Sequence, residues 1–189
     1  MSARLNPRGR VLALALAAPA LLLLGACTDT EPAAEDTVLD VSADETVSDL
    51  LDDDPALSRT AELVDRTGLE DVLDAAPSYT LLAPTDTAMG ALDPEQGATA
   101  ADNPAMAALL RGHLLPGFVT LDDITRAIDA SEDGQVTMQT MAQTPLTFTR
   151  SGETVTVSAA DGASATIGGP GRQGGNGVVM PVDGLLKTL

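Results

Sequence analysis

Tyr79-Thr80-Leu81-Leu82-Ala83-Pro84-Thr85-Asp86 is an apolar run that stops at a proline and restarts on a residue able to cap a helix. Tyr79 to Leu82 reads as a strand, because a β-branched and aliphatic run with an aromatic at its head suits a pleated surface and Pro84 cannot continue the ladder. Thr85 can accept a hydrogen bond from the first turn of a helix running through Met89 and Leu92. The segment therefore predicts a sharp strand-to-helix corner, and the elements on either side are read outward from it.

Upstream, helical signals begin near Thr46. Leu50 and Leu51 precede the Asp52-Asp53-Asp54-Pro55 break, then Leu57, Ala61 and Val64 recur at helical spacing before Gly68, and a short helix follows through Val72 and Leu73. Downstream, Asp93 to Asn103 is a loop and Pro104 can open a helix over Met106, Leu109 and Leu110. His113-Leu114-Leu115 reads as a buried strand stopped by Pro116-Gly117, and Thr120 with Asp123 approximates a capping box before Leu121, Ile124 and Ile128. After Gly134 the period changes to two. Val136 and Met138, Leu146 and Phe148, and Val155 and Val157 alternate with polar residues, separated by Ser151-Gly152 and Asp161-Gly162, which is the pattern of an antiparallel meander. A last apolar segment runs from Val178 to Val182. Helices first and strands second, with some interspersed, indicate an α+β domain.

Three blocks in this reading resemble the fasciclin domain. The opening block with Ala88 is similar to its first; His113-Leu114-Leu115-Pro116-Gly117 is similar to its central histidine block; Asn176-Gly177-Val178-Val179 with Val182-Asp183-Gly184-Leu185-Leu186 is similar to its last. The resemblance implies a wedge-shaped β-sandwich with N-terminal helices packed on one side, no catalysis, and an adhesion or interaction role. It marks Tyr79, Pro84, Thr85, Asp86, His113, Pro116, Gly117, Asn176, Gly177 and Asp183 as family-motif positions, structural or binding. Asn176-Gly177 also reads directly as a turn dipeptide feeding the final strand. Where animal members often carry Tyr before the histidine, a pair implicated in integrin recognition, this chain has Gly112. Gly168 to Gly175 replaces the acidic and apolar adhesion residues expected before Asn176, and Met89 stands for an aromatic. Integrin-style adhesion is therefore not carried over.

Arg4, Arg8 and Arg10 precede an uncharged run from Val11 to Leu24, and Leu24-Gly25-Ala26-Cys27 resembles a bacterial lipobox. The run falls short of the roughly 20 residues of a spanning helix, so residues 1–26 are expected to be a lipoprotein signal peptide and Cys27 the lipidated tether. Thr28 after the cysteine favours an outer membrane where one is present. Residues 27–43 read as an acidic spacer extended by like charges, in which Val38, Leu39 and Val41 can start a strand or a helix. Residues 44–189 form the fasciclin-like domain. The expected location is the bacterial cell envelope on its extracytoplasmic side, anchored to a membrane through the lipid, with an envelope or extracellular protein or a polysaccharide as partner.

After Cys27 there are 28 acidic and 7 basic residues, a net charge of −21. Such a charge repels nucleic acid and anionic headgroups. Only Phe118, Phe148 and Tyr79 are aromatic, so the core must be aliphatic and a binding face built on clustered aromatic anchors is not expected. Gly169, Gly171 and Gly174 match G-x-G-x-x-G, but the Val178-Val179-Met180-Pro181 that follows cannot supply a helix N-terminus for a pyrophosphate, so a flexible loop and no nucleotide are expected. His113, the sole histidine, would have to serve any envelope hydrolase of this chain; without a Gly-x-Ser-x-Gly elbow it reads as a core histidine. A self-associating structural role is a further alternative. One histidine and a tethered cysteine leave no transition-metal cluster, and Asp52-Asp53-Asp54, Asp122-Asp123 and Glu132-Asp133 lack EF-hand spacing, so no metal or cofactor is expected.

Overall fold

A computed structural model describes residues 39–75, 78–92 and 103–187. Six helices and nine strands are found among them: β1 (Asp40–Ser42), α1 (Val47–Asp52), α2 (Ser58–Thr67), α3 (Leu69–Ala75), β2 (Tyr79–Pro84), α4 (Asp86–Met89), α5 (Asn103–Arg111), β3 (Leu114–Pro116), α6 (Leu121–Ala130), β4 (Gln135–Gln139), β5 (Pro145–Ser151), β6 (Thr154–Ala159), β7 (Ser164–Thr166), β8 (Arg172–Gly174) and β9 (Gly177–Val182). The expected signal peptide, Cys27 and the first part of the spacer lie outside the described residues.

Two sheets result. One has the order β1-β8-β9-β2-β3, the other is the meander β4-β5-β6-β7. In the first sheet β2 runs parallel to β9 and antiparallel to β3, while β1 runs parallel to β8. An isolated antiparallel bridge between Ile167 and Val182 links the end of the meander to β9. Asp40 to Ser42, inside the segment read as spacer, are thus strand residues, and of the two options open for Val41 the strand is the one found.

The helices start where the sequence says they should. Thr46 and Asp49 form a capping box at α1, and Thr120 and Asp123 form another at α6, each hydroxyl accepting from the third helical N–H while the carboxylate accepts from the cap residue's own N–H. Hydrogen bonds from Thr46 and Thr120 hold the carboxyls of Asp49 and Asp123 below the usual carboxylate range. Gly68, in the left-handed conformation, ends α2.

The central strands β2 and β9 of the five-stranded sheet are buried on both faces. Leu81 and Ala83 of β2, Leu114 of β3 and Val179 of β9 face a core shared with α1, α2, α3 and α5. Leu82, Leu115, Val178, Met180 and Val182 face the opposite way, against Leu146, Phe148, Val155 and Val157 of the meander and Ile124 and Ile128 of α6. Central parallel strands covered on both sides require continuous apolar runs, which is why β2 and β9 read as unbroken while the meander alternates. The architecture is the expected α+β one, with the N-terminal helices on one side of a two-sheet core and α6 on the other face.

Two expectations need correction. His113 does not lie in a strand: it sits in the turn between α5 and β3, its N–H donating to Leu110 O at 2.9 Å. The glycine-rich run is not a free loop either, because Arg172–Gly174 forms β8 between β1 and β9. A Cβ at Gly171 would collide with the Val179 carbonyl, one at Gly174 with Glu45 O and one at Gly175 with Ala43 O. Gly171 and Gly174, two of the three glycines that imitate a dinucleotide fingerprint, are there because backbone passes against backbone.

Candidate functional site

The motif residues gather at the two ends of β2. At its start, Tyr79 lies between Gly177 of β9 and Pro116 of β3 in the sheet register. Gly117 donates its N–H to Ser78 O at 2.7 Å. The Asn176 carboxamide joins two helices: Oδ1 accepts from Val47 N at 2.7 Å at the first turn of α1, and Nδ2 donates to Leu73 O at 3.2 Å and to the Asp74 carboxylate at 3.3 Å in α3. Its main-chain carbonyl accepts from Ser78 N at 2.9 Å. A Cβ on Gly177 would strike the Tyr79 carbonyl oxygen and come within 2.6 Å of Val47 Cγ2. The turn expected at this dipeptide is real, but Asn176 is needed for its long-range caps and Gly177 for close approach.

At the other end, Pro84 pairs with Val182 and the chain turns into α4. Thr85 accepts from Ala88 N at 3.3 Å, as expected of a cap, and its own N–H donates to Val182 O at 3.0 Å. Asp86 reaches back along the fold. Its Oδ1 accepts from Arg59 N at 2.8 Å in the first turn of α2, so the carboxylate satisfies an orphan donor of a helix that has no side-chain cap of its own. Asp183 exchanges two bonds with β7: its carboxylate accepts from Thr166 N at 2.5 Å and its N–H donates to Thr166 O at 3.1 Å.

His113 is fully buried. Nδ1 lies 2.9 Å from Leu109 O and Nε2 accepts from Leu186 N at 3.0 Å, an arrangement that fixes the neutral tautomer with its proton on Nδ1. Burial lowers its pKa, partly offset by the bond to Leu109. Its main-chain carbonyl takes Leu82 N at 2.9 Å. The ring therefore joins the last turn of α5 to the C-terminal segment, and neither nitrogen is left for a substrate.

Three residues of equal weight escaped the sequence reading. Thr80 is buried inside an apolar strand; its hydroxyl lies 2.8 Å from Gly117 O and accepts from Val119 N at 2.8 Å. Thr60, also buried, donates to Pro84 O at 2.6 Å. Arg172 meets Asp40 and Glu45, each at 3.4 Å, and donates to Leu50 O at 3.2 Å. A lone hydroxyl in an apolar strand and a lone cation in a glycine run were the available signals, but each partner is more than 20 residues away in sequence.

Part of the acidic clusters is engaged locally. Asp54 accepts from Ala56 N at 2.9 Å, and Asp122 and Asp123 both pair with Arg126. No three His, Cys, Asp or Glu side chains among the described residues converge as metal ligands. An open groove of about 480 Å³ between α1, α2 and α3 is lined by Ser48, Asp52, Glu62, Asp65 and Glu70.

Helices on one face of a mixed sheet, a meander on the other, and motif side chains consumed in tying them together define a structural α+β module. A family model described as the fasciclin domain matches residues 55–188, and the chain belongs to the fasciclin family. Among solved structures it is similar to the FAS1 domain pair of the insect cell adhesion molecule fasciclin I, with a TM-score of 0.57 and 20% identity, over 69% of this chain and 45% of that one. That likeness is one of fold. Among curated proteins none matches the chain. Fasciclin domains are linked to cell adhesion and are generally noncatalytic.

Proposed function

We propose that this protein is a noncatalytic adhesion or interaction module, lipidated at Cys27 and displayed on the extracytoplasmic side of a bacterial cell envelope. The observation that carries the noncatalytic half is the engagement of His113, whose two nitrogens are both bonded within the core. A histidine buried in this way cannot exchange protons with a bound ester or glycan. Family membership supports the adhesion half. The anchor rests on Leu24-Gly25-Ala26-Cys27 after a short apolar run, since several acyl chains hold a protein far more firmly than one. The partner is an envelope or extracellular protein or a polysaccharide, and Gly112 in place of the tyrosine before His113 sets it apart from integrin-type recognition.

Mass spectrometry of the membrane-extracted protein tests the anchor. A mature N-terminus at Cys27 carrying acyl mass is expected, with Cys27→Ser moving the protein to the soluble fraction. An N-terminus elsewhere, or unchanged membrane association of Cys27→Ser, would overturn the anchor. Loss of surface attachment in a deletion strain, restored by His113→Gln as well as by the native chain, is expected of a noncatalytic module.

A further inference from the structure

The outward face of the meander is a charge-free lattice of hydroxyls with a carboxamide at one edge. Strand register sets Thr137, Thr147, Ser158 and Ser164 in one row across β4 to β7, and Gln135, Thr149, Thr156 and Thr166 in the next. All eight are exposed or half-buried, while Leu146, Phe148, Val155 and Val157, which alternate with them on β5 and β6, turn into the core. Helix α6 lies on that inner side, tied to β5 by Arg150 and Asp129 at 2.6 Å. Thr137 and Thr147 hydroxyls lie 3.3 Å apart, and those of Thr149, Thr156 and Ser158 bond no other group among the described residues.

What makes the face unusual is what it lacks. Charged residues are 20% of the chain, and natural sheets place charge on outward faces and edges to block unwanted pairing. None of the outward residues of β4, β5, β6 or β7 is charged. Nor does the lattice hold an aromatic or a large aliphatic residue that could anchor an apolar peptide. Hydroxyls donate and accept alike, so the face matches a partner that is itself a repeating array of hydroxyls. The charge elsewhere, −18 over the whole chain, repels anionic polymers and leaves a neutral one unopposed.

We propose that this face binds a neutral polysaccharide, which names the partner class within the adhesion reading above and rests on that reading. Each hydroxyl contact merely replaces one with water and is individually weak; repetition along polymer and lattice supplies the attachment. The face runs across four strands, so it grips the side of a chain rather than an end.

The test is affinity electrophoresis of the full chain in gels cast with dextran, amylose, mannan or soluble cellulose ether, with dextran sulfate as the anionic counterpart. Retardation by at least one neutral polymer is expected, little changed by about 0.5 M salt because no ion pair is involved. Thr147→Val/Thr149→Val/Thr156→Val keeps β-branched side chains and the fold, and should weaken retardation on the order of five-fold or more. Should that variant melt early, Thr149→Val alone replaces it, with a loss of about two-fold. Retardation only by dextran sulfate, none by any neutral polymer, or equal retardation of native and variant chains overturns the proposal. So does a variant whose only change is lost self-association in sedimentation, since the face then serves a second copy. If the variant loses polymer binding but keeps surface attachment in cells, the adhesion reading stands and this face is not its agent.

Discussion

In the meander every strand pairs with its neighbour in sequence, whereas in the five-stranded sheet Tyr79 lies beside Gly177 and Asp40 beside Arg172. The two regions need different chemistry. Hairpins carry their register in their turns: Ser151-Gly152 and Asp161-Gly162 place the strands, and alternation decides which face is inward. The five-stranded sheet has a turn between β8 and β9 but none that sets the register of β1 on β8 or of β2 on β9. Its seams are fixed by single polar side chains and by glycines that let backbones touch, and the family motifs fall at those seams. Motif residues of this kind mark where long-range closure is specified.

Substitutions should separate the two regimes. The largest effect is expected for Gly177→Ala, whose Cβ has no room between β2 and α1; a loss of about 3 kcal/mol or more, read as a fall in thermal midpoint or failure to fold, would follow. Asn176→Ala strips α1 and α3 of their shared clamp, for a loss of about 2 to 3 kcal/mol in denaturant unfolding. A loss below about 0.5 kcal/mol would show that the clamp is dispensable.

His113 adds a pH signature to the long-range sheet. Its folded pKa lies below the ordinary value near 6.5, so the unfolded chain takes up a proton before the folded one does. Stability is then complete above about pH 6.5 and declines as pH falls below it, by at most about 1.4 kcal/mol per pH unit until the folded pKa is reached. His113→Gln should remove that part of the slope; an unchanged profile would exclude His113 as its source. Smallest is Gly152→Ala in the β5–β6 hairpin of the meander, where φ is +63° but nothing lies within 4 Å of the new Cβ. About 1 kcal/mol is expected from backbone strain alone. A cost equal to that of Gly177→Ala would erase the distinction between the sheets.

Much of the fold was legible for local reasons. Thr46, Thr85 and Thr120 announce helix starts because a cap bonds within three residues, and Val155 and Val157 announce a strand because its period is two. The strand β8 was hidden since Arg172-Gln173-Gly174 has no apolar period and is held by neighbours on both sides. The motif positions could be listed, but their partners could not: nothing adjacent to Asp86 points to Arg59, and nothing adjacent to His113 points to Leu186.

By itself, then, the sequence determined the elements, the turns of the meander and the apolar character of β2 and β9, all consequences of interactions spanning a few residues. Only the tertiary structure decided that His113 is a clamp with no free nitrogen, that the glycine-rich run is a packed strand, and that the serines and threonines of four strands meet on one uncharged face. Those outcomes depend on which distant backbones come together, and hydrogen bonding and close packing act through space, without regard to distance along the chain.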